Sequence, residues 1–219
     1  MRRFVNRGDK MKKLLKYYCL LSSCLLMLLS CSQAQHHEPE KTSLLKDKKV
    51  LILYLSRTKN TQAVANLIHQ QVGGDLVALE LVNPYPENYQ QIVAQVGKEN
   101  ETGFLPPLKT RIDSLQKYDV VFLGFPTWSM QLPPPMKSFL KQHNLSGKVV
   151  VPFNTNAGYG VGSSFETLKA MCPGSQVLEG FSTKGGLERD RILFVMEGQK
   201  VKEVSVEIQR WLQKTGLIK

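Results

Sequence analysis

A six-residue polar segment follows the first apolar run of the domain and is rich in hydroxyl and amide side chains. It contains, in order, Ser56, Arg57, Thr58, Lys59, Asn60 and Thr61. A helical pattern begins at Asn60, and the free N–H groups of a helix N-terminus, with the positive end of its dipole, favour an anion. A helix cap needs one Ser or Thr, whereas this segment carries three hydroxyls. We therefore predict a phosphate site, with a simple helix cap as the alternative.

A second polar segment carries an aromatic residue that is suited to stacking. It follows the apolar run 119–125 and contains Pro126, Thr127, Trp128 and Ser129. A tryptophan between polar residues, directly after a buried strand, stays partly exposed unless a flat group covers it. A conjugated ring stacked on the indole is such a group. The alternative is that Trp128 folds back on its own domain.

A third segment combines amide and hydroxyl donors with glycines, which let backbone N–H groups approach a ring edge closely. It contains Asn154, Thr155, Asn156, Ala157, Gly158, Tyr159 and Gly160. The glycine spacing does not match the G-x-G-x-x-G fingerprint of dinucleotide-binding proteins. The sequence also lacks a P-loop, a G-x-S-x-G elbow, an H-E-x-x-H motif and a paired-cysteine motif, and we expect no catalytic side chain and no metal.

The elements that position these segments are short apolar runs alternating with helical patterns. Strands are predicted over 50–55, 75–81, 119–125, 148–153 and 176–180, and helices over 60–72, 88–97, 163–171 and 201–214 and from Pro134 onward. Strand–helix alternation indicates parallel strands with right-handed crossovers. We therefore predict an α/β fold, a doubly wound five-stranded parallel sheet of order 2-1-3-4-5. In that order, the segments after strands 1, 3 and 4 meet at one crevice.

The three segments, taken together, resemble the FMN-binding loops of the flavodoxin family in their order and spacing. The matching stretches are Ser-Arg-Thr-Lys-Asn-Thr, Gly-Phe-Pro-Thr-Trp-Ser and Pro-Phe-Asn-Thr-Asn-Ala-Gly-Tyr-Gly. Residues 83–89 and 172–174 also resemble the small bacterial branch of that family, and the similarity runs from about residue 49 to 186. The resemblance implies the flavodoxin-like sheet order and a non-covalently bound FMN.

The resemblance also implies a role for individual residues in holding FMN. The phosphate would lie on Ser56, Thr58, Asn60 and Thr61, the ring on Trp128, and the pyrimidine edge against Thr155, Asn156 and nearby amides. Lys59 stands where the family usually has Gly. Ser129 stands where it often has a second aromatic residue, and Ala157 where Gly is common. Tyr159 is either a second stacking residue or an ordinary exposed loop tyrosine.

The first 30 residues indicate export from the cytoplasm. A basic stretch precedes the apolar run 17–29, which at about 1.5 Å per residue is too short to cross a bilayer core of roughly 30 Å. The run ends just before Cys31, as in a bacterial lipoprotein signal, so we predict that Cys31 is the lipidated first residue. Cleavage near Ala34 or before Cys24, and a start at Met11 instead of Met1, are the alternatives. Residues 31–48 are predicted to be a polar linker and residues 49–219 the flavodoxin-like domain.

The charge of the chain gives little support to a nucleic-acid partner, and none is expected. The net charge is +11, but seven of the 29 basic residues lie in the leader and the others are scattered. Two hypotheses of function follow. The first is electron transfer or flavin-dependent reduction at the cell envelope, with a redox partner protein or a small acceptor such as a quinone. The second is a non-redox module that captures flavin or binds another protein.

Overall fold

The computed structural model describes residues 43–219, and its centre is one sheet of parallel strands. The predicted signal peptide, Cys31 and most of the predicted linker lie outside the described residues. The strands are β1 (Val50–Tyr54), β2 (Asp75–Ala78), β3 (Val120–Pro126), β4 (Val149–Asn156), β5 (Gln176–Val177) and β6 (Phe181–Lys184). The helices are α1 (Asn60–Val72), α2 (Tyr89–Thr102), α3 (Pro134–Gln142), α4 (Ser164–Ala170) and α5 (Gly198–Lys214). Short 3₁₀ turns cover Leu115–Lys117 and Glu188–Asp190.

The strand order is β2-β1-β3-β4-β5, which confirms the predicted doubly wound sheet. Alternate residues of each central strand face two separate cores, as the pleat requires. Ile52 of β1 packs with Val64 of α1 and Ile208 of α5 on one face. Leu53 packs with Met136 of α3 on the other face. Strands buried on both faces explain the almost continuous apolar runs of β1 and β3.

The edge beyond β4 differs from the prediction of one strand over 176–180. Two short strands occupy it, with β5 paired to the start of β4 and β6 paired to its end. Between them, the carbonyl of Glu179 accepts a hydrogen bond of 2.8 Å from the Trp211 indole N–H of α5. That carbonyl is therefore turned toward α5, and the outer strand is interrupted between β5 and β6.

Other elements also have bounds that differ from the pattern-based ones. Strand β4 continues to Asn156 and not only to residue 153, and α5 begins at Gly198 and not at residue 201. The second strand ends at Ala78 and not at residue 81. Helix α2 continues past Gly97 to Thr102, where Gly103 closes it in a left-handed conformation (φ 68°). A glycine inside a helix lowers helix propensity but does not end the helix when the following turn is packed, as it is here at buried Glu99.

Residues 43–48, which were predicted as part of the linker, contact the domain. The N–H of Leu44 donates to the carbonyl of Gly216 at 2.9 Å, and Leu45 packs against the core that includes residues of α1 and α5. Within residues 43–219, no helix has the length and apolarity that a membrane span requires.

Candidate functional site

The segments that follow β1, β3 and β4 meet in one cleft of about 310 Å³, a volume within the range of small-molecule sites. Most of the predicted site residues line it: Arg57, Thr58, Asn60, Thr61, Pro126, Thr127, Trp128, Ser129, Thr155, Asn156, Ala157, Tyr159 and Gly160. Four of the predicted residues are not part of its wall: Ser56, Lys59, Asn154 and Gly158.

The segment before α1 provides main-chain donors at one end of the cleft. Lys59 precedes the helix in a left-handed conformation (φ 65°) and makes no side-chain cap. In the part of the chain that the structure describes, the main-chain N–H groups of residues 58–61 donate to no protein oxygen. Asn60 and Thr61 are nevertheless buried. Several unpaired N–H groups at a helix N-terminus form an anion-binding site.

Two side chains that the sequence assigned to the cofactor are used to hold neighbouring loops. The Asn60 amide donates to the carbonyl of Leu193 at 2.6 Å and accepts from the N–H of Val195 at 3.1 Å. The Arg57 guanidinium pairs with Glu188 at 2.8 Å and donates to the carbonyl of Pro86 at 2.7 Å. Their side chains therefore connect the first segment to residues 86–87 and 188–195. Asn60 retains only its main-chain N–H for a ligand.

Ser56 also differs from its predicted role. Its hydroxyl accepts a hydrogen bond of 3.2 Å from the N–H of Gln62 in the first turn of α1. The side chain therefore serves the helix and does not reach the cleft. The hydroxyl oxygen of Thr58 accepts from the Asn60 amide at 2.9 Å, and within residues 43–219 the hydroxyl donates to no protein atom.

The indole of Trp128 is half-buried, with one part packed on the core and another part lining the cleft. The chain reverses directly after it through Ser129 (φ 49°) and Met130 (φ 56°), and the N–H of Gln131 donates to the carbonyl of Trp128 at 3.0 Å. Two consecutive residues with positive φ are typical of the tight turns that join antiparallel segments. Tyr85 meets the indole edge-on, with ring centroids 5.3 Å apart and an interplanar angle of 90°.

The end of β4 and the segment that follows it are organised by the asparagine residues of the strand. Asn154 is fully buried and its amide donates to the carbonyl of Phe125 at 3.0 Å, which explains why it does not line the cleft. The Asn156 side-chain oxygen accepts from the N–H groups of Gly158 (2.8 Å) and Gly160 (3.2 Å), both of which have positive φ. Tyr159 lies at the rim with 62% of its surface exposed. The structure therefore places its ring beside the cleft, where its hydroxyl accepts from Arg189.

Helix α2 forms a wall of the cleft that sequence reasoning missed. Its contribution consists of Tyr89, Ile92, Val93 and Val96. Their spacing (i, i+3, i+4, i+7) defines one helix face, and Val93 is 48% exposed although it is apolar. The signal for this wall in the sequence was an apolar residue, Val93, that lies next to the buried stripe of the helix but is exposed. Residues 185–189, which follow the unpredicted strand β6, also line the cleft.

The charged groups around the cleft are paired with one another. Arg57 pairs with Glu188, and Arg189 with Asp190 at 2.9 Å. Burial, together with the hydrogen bond to Glu99, raises the pKa of the Tyr85 phenol far above its usual range, so this group stays neutral. The arrangement suits a flat ligand with an anionic end better than it suits general acid–base chemistry.

Comparison with known proteins shows which family and fold the chain resembles. A family model described as flavodoxin matches residues 49–198. The crystal structure of a proposed flavoprotein from Bacteroides eggerthii DSM 20697 is 28% identical, has a TM-score of 0.63, and covers 78% of this chain and 99% of its own. A proposed flavoprotein from Bacteroides uniformis ATCC 8492 is 22% identical, with a TM-score of 0.61 and coverage of 74% and 98%.

A third solved structure carries a cofactor. It is a flavoprotein from Lactobacillus acidophilus NCFM in complex with FMN, 22% identical, with a TM-score of 0.54 and coverage of 66% of this chain and 98% of its own. The two structures at 22% identity show a shared fold. No curated protein matches the chain. Because the family model spans more than half of the sequence, the chain belongs to the flavodoxin family.

Proposed function

We propose that this flavodoxin binds FMN in the cleft and exchanges electrons through it at the bacterial cell envelope. Family membership supports FMN as the cofactor, as does the FMN complex of the Lactobacillus acidophilus relative. The observation that carries the proposal is a pair of features in one cleft. Unpaired N–H groups of residues 58–61 lie at the N-terminus of α1, and the half-buried indole of Trp128 lies on the wall formed after β3.

The residues of the cleft fit the two chemically different parts of FMN. The main-chain N–H groups of residues 58–61 and the hydroxyl of Thr58 suit the phosphate, because they donate hydrogen bonds without requiring a full counter-charge. Trp128 offers a flat face to the ring. Asn156 and Ala157 line another part of the cleft and would hold the pyrimidine edge of the ring. When bound, FMN supplies one- or two-electron redox chemistry, and the protein controls its orientation and its access to partners.

Binding and redox activity are tested on the purified full-length chain. Addition of FMN is expected to produce a difference spectrum in the visible bands of the flavin, and dithionite is expected to bleach those bands, with recovery in air. A chain that gives no difference spectrum with FMN contradicts the proposal. The other informative outcome is a chain that binds FMN but exchanges no electrons with donor proteins or quinones. That outcome contradicts the proposed electron transfer and supports flavin capture instead.

The location at the envelope is proposed from residues 1–31 alone. The basic stretch, the short apolar run and the cysteine that ends it support a lipoprotein anchored through Cys31. In bacterial cells, Cys31→Ser is expected to release the protein from the membrane fraction, whereas the matched variant Cys24→Ser leaves it there. Mass spectrometry of the N-terminal peptide is expected to find lipid on Cys31. An unmodified mature N-terminus near Ala34 contradicts this part of the proposal.

A further inference from the structure

The indole of Trp128 contacts a ring from another part of the chain. Its own loop holds the main chain through the hydrogen bonds between Trp128 and Gln131 across the turn at Ser129 and Met130, and part of the indole packs on the core. The aromatic ring in contact with the indole is that of Tyr85, which meets it at 90°. An edge-to-face pair constrains both rings, because the positive edge of one is attracted to the negative face of the other.

Tyr85 is itself held at two points. Its hydroxyl donates to a carboxylate oxygen of Glu99 at 2.5 Å. Beside it in the chain, the carbonyl of Pro86 accepts from Arg57 of the first cleft segment at 2.7 Å. The main chain near the ring and the far end of the ring are thus both fixed, and little freedom remains for the ring to turn.

Glu99 occupies a position where the pattern of α2 calls for an apolar residue. It follows Ile92 and Val96 on the buried stripe of the helix, and only 5% of its surface is exposed. Its second oxygen accepts from the Gln95 amide at 2.9 Å. Among residues 43–219, no Lys, Arg or His forms an ion pair with it. A buried carboxylate satisfied only by neutral donors is costly, so an apolar residue would serve the core better.

We propose that Glu99 is a positioning residue for the flavin-stacking face: through the hydroxyl of Tyr85 it fixes the ring that sets the orientation of the Trp128 indole. This inference rests on the proposed function, because it assigns the stacked ligand to Trp128. Glu99 does not touch the ligand. Its carboxylate fixes the phenol of Tyr85, and the ring of Tyr85 fixes the indole of Trp128. The indole therefore has its binding orientation before the flavin arrives. The conformational freedom that the indole would otherwise lose on binding is removed beforehand.

The test compares variants that differ in one link of this chain of contacts. Tyr85→Phe combined with Glu99→Leu removes both hydrogen-bonding partners, so it leaves no unsatisfied buried group and is expected to keep the thermal unfolding midpoint close to that of the original chain. Glu99→Gln, with Tyr85 intact, keeps an acceptor for the phenol and is expected to bind both flavins as tightly as the original chain. Affinity is measured for both FMN and riboflavin, because loss of stacking weakens both ligands alike.

The double variant is expected to bind both flavins at least roughly 2-fold more weakly. The loss is at most about 12-fold, the full worth of an aromatic pair, because a ring remains at position 85. In a Trp128→Ala background, the same double substitution is expected to change the affinity no further, since its effect passes through the indole. An equal loss of affinity with and without Trp128 would overturn the proposal, as would a loss of affinity in Glu99→Gln as large as that in the double variant.

A second readout needs no ligand and separates this inference from the proposed function. In the apoprotein with Trp211→Phe, which leaves Trp128 as the only tryptophan, fluorescence anisotropy decay reports the mobility of the indole. The double variant is expected to show a faster local motion of Trp128 than the chain with Tyr85 and Glu99 intact. Unchanged mobility overturns the positioning role. Increased mobility in a chain that binds no FMN supports the positioning role and contradicts only the proposed function.

Discussion

The hydroxyl oxygens of Thr61 and Thr155 lie 2.8 Å apart, so a buried hydrogen bond joins the start of α1 to the end of β4. Each hydroxyl has one proton to donate, and the pair uses only one of them. The other proton remains for a ligand in the cleft, which both residues line. The donor-rich end of the cleft is therefore joined directly to the end of β4, and the residues that follow that strand also line the cleft.

This arrangement predicts how the cleft distinguishes FMN from riboflavin. Thr58→Ala combined with Thr61→Ala is expected to weaken FMN binding about 10-fold or more, because hydrogen bonds to a charged group contribute about 1.5–3 kcal/mol each. Riboflavin lacks the phosphate and is expected to bind with almost unchanged affinity. Calorimetric titration with the two ligands measures the difference. Thr58→Ser with Thr61→Ser is the matched control, since it keeps both hydroxyls, and equal losses for the two ligands would refute the phosphate assignment.

The stacking face is tested by removing one of the two tryptophans. Trp128→Ala is expected to weaken the binding of both flavins by about 1–3 kcal/mol, the scale of an aromatic contact plus its buried area. Trp211→Phe is the control, because Trp211 is buried in the core, where its indole N–H bonds to Glu179. That control is expected to lower the unfolding temperature and to leave the dissociation constant unchanged. Retention of full affinity by Trp128→Ala would show that the ring lies elsewhere.

The left-handed conformation of Lys59 predicts that glycine at this position makes the folded protein more stable. A non-glycine residue at φ 65° costs about 1–2 kcal/mol, of which the extra freedom of glycine in the unfolded chain offsets a part. Lys59→Gly is therefore expected to raise the free energy of unfolding by about 0.5–1 kcal/mol, as measured by urea denaturation. The same substitution at Lys98, an exposed position inside α2, is expected to lower it by about 1 kcal/mol. Changes of the same sign at both sites would contradict the argument.

The thiol of Cys172 is predicted to be inert in the folded protein. Burial raises its pKa to about 11. The thiolate is the reactive form, so Ellman's reagent at neutral pH is expected to label Cys172 only after unfolding. Because the folded pKa lies above the unfolded value of about 8.5, the associated stability is complete below that value and is lost as the pH rises toward the folded pKa.

A stability series over pH tests the same shift. The unfolding free energy of the original chain, minus that of Cys172→Ala, is expected to be constant below about pH 8 and to decrease as the pH rises further. Rapid labelling of the folded protein at neutral pH, or a difference that does not change with pH, would show that the thiol is accessible.

The sheet and most of its elements could be predicted from sequence because burial on both faces leaves a local pattern. The apolar runs at β1 and β3 and the stripe of α1 are examples. Strand β6 was missed because its alternating exposure over four residues, Phe-Ser-Thr-Lys, resembles a loop, and only its pairing with β4 makes it a strand. The α2 wall was missed because the role of Val93 depends on which loop lies opposite that helix.

The sequence alone determined the three polar segments, their order along the chain and therefore their meeting at one end of a parallel sheet. Residue type and spacing carry that information, since the carboxyl ends of neighbouring parallel strands must lie together. Tertiary structure alone decided which side chains remain free there. Arg57 and Asn60 are the clearest cases, because Glu188, Leu193 and Val195, more than 130 positions away in the chain, take the hydrogen bonds that a ligand would otherwise receive. Hydrogen-bonding capacity is a property of a side chain, but its partners are set by packing between distant segments.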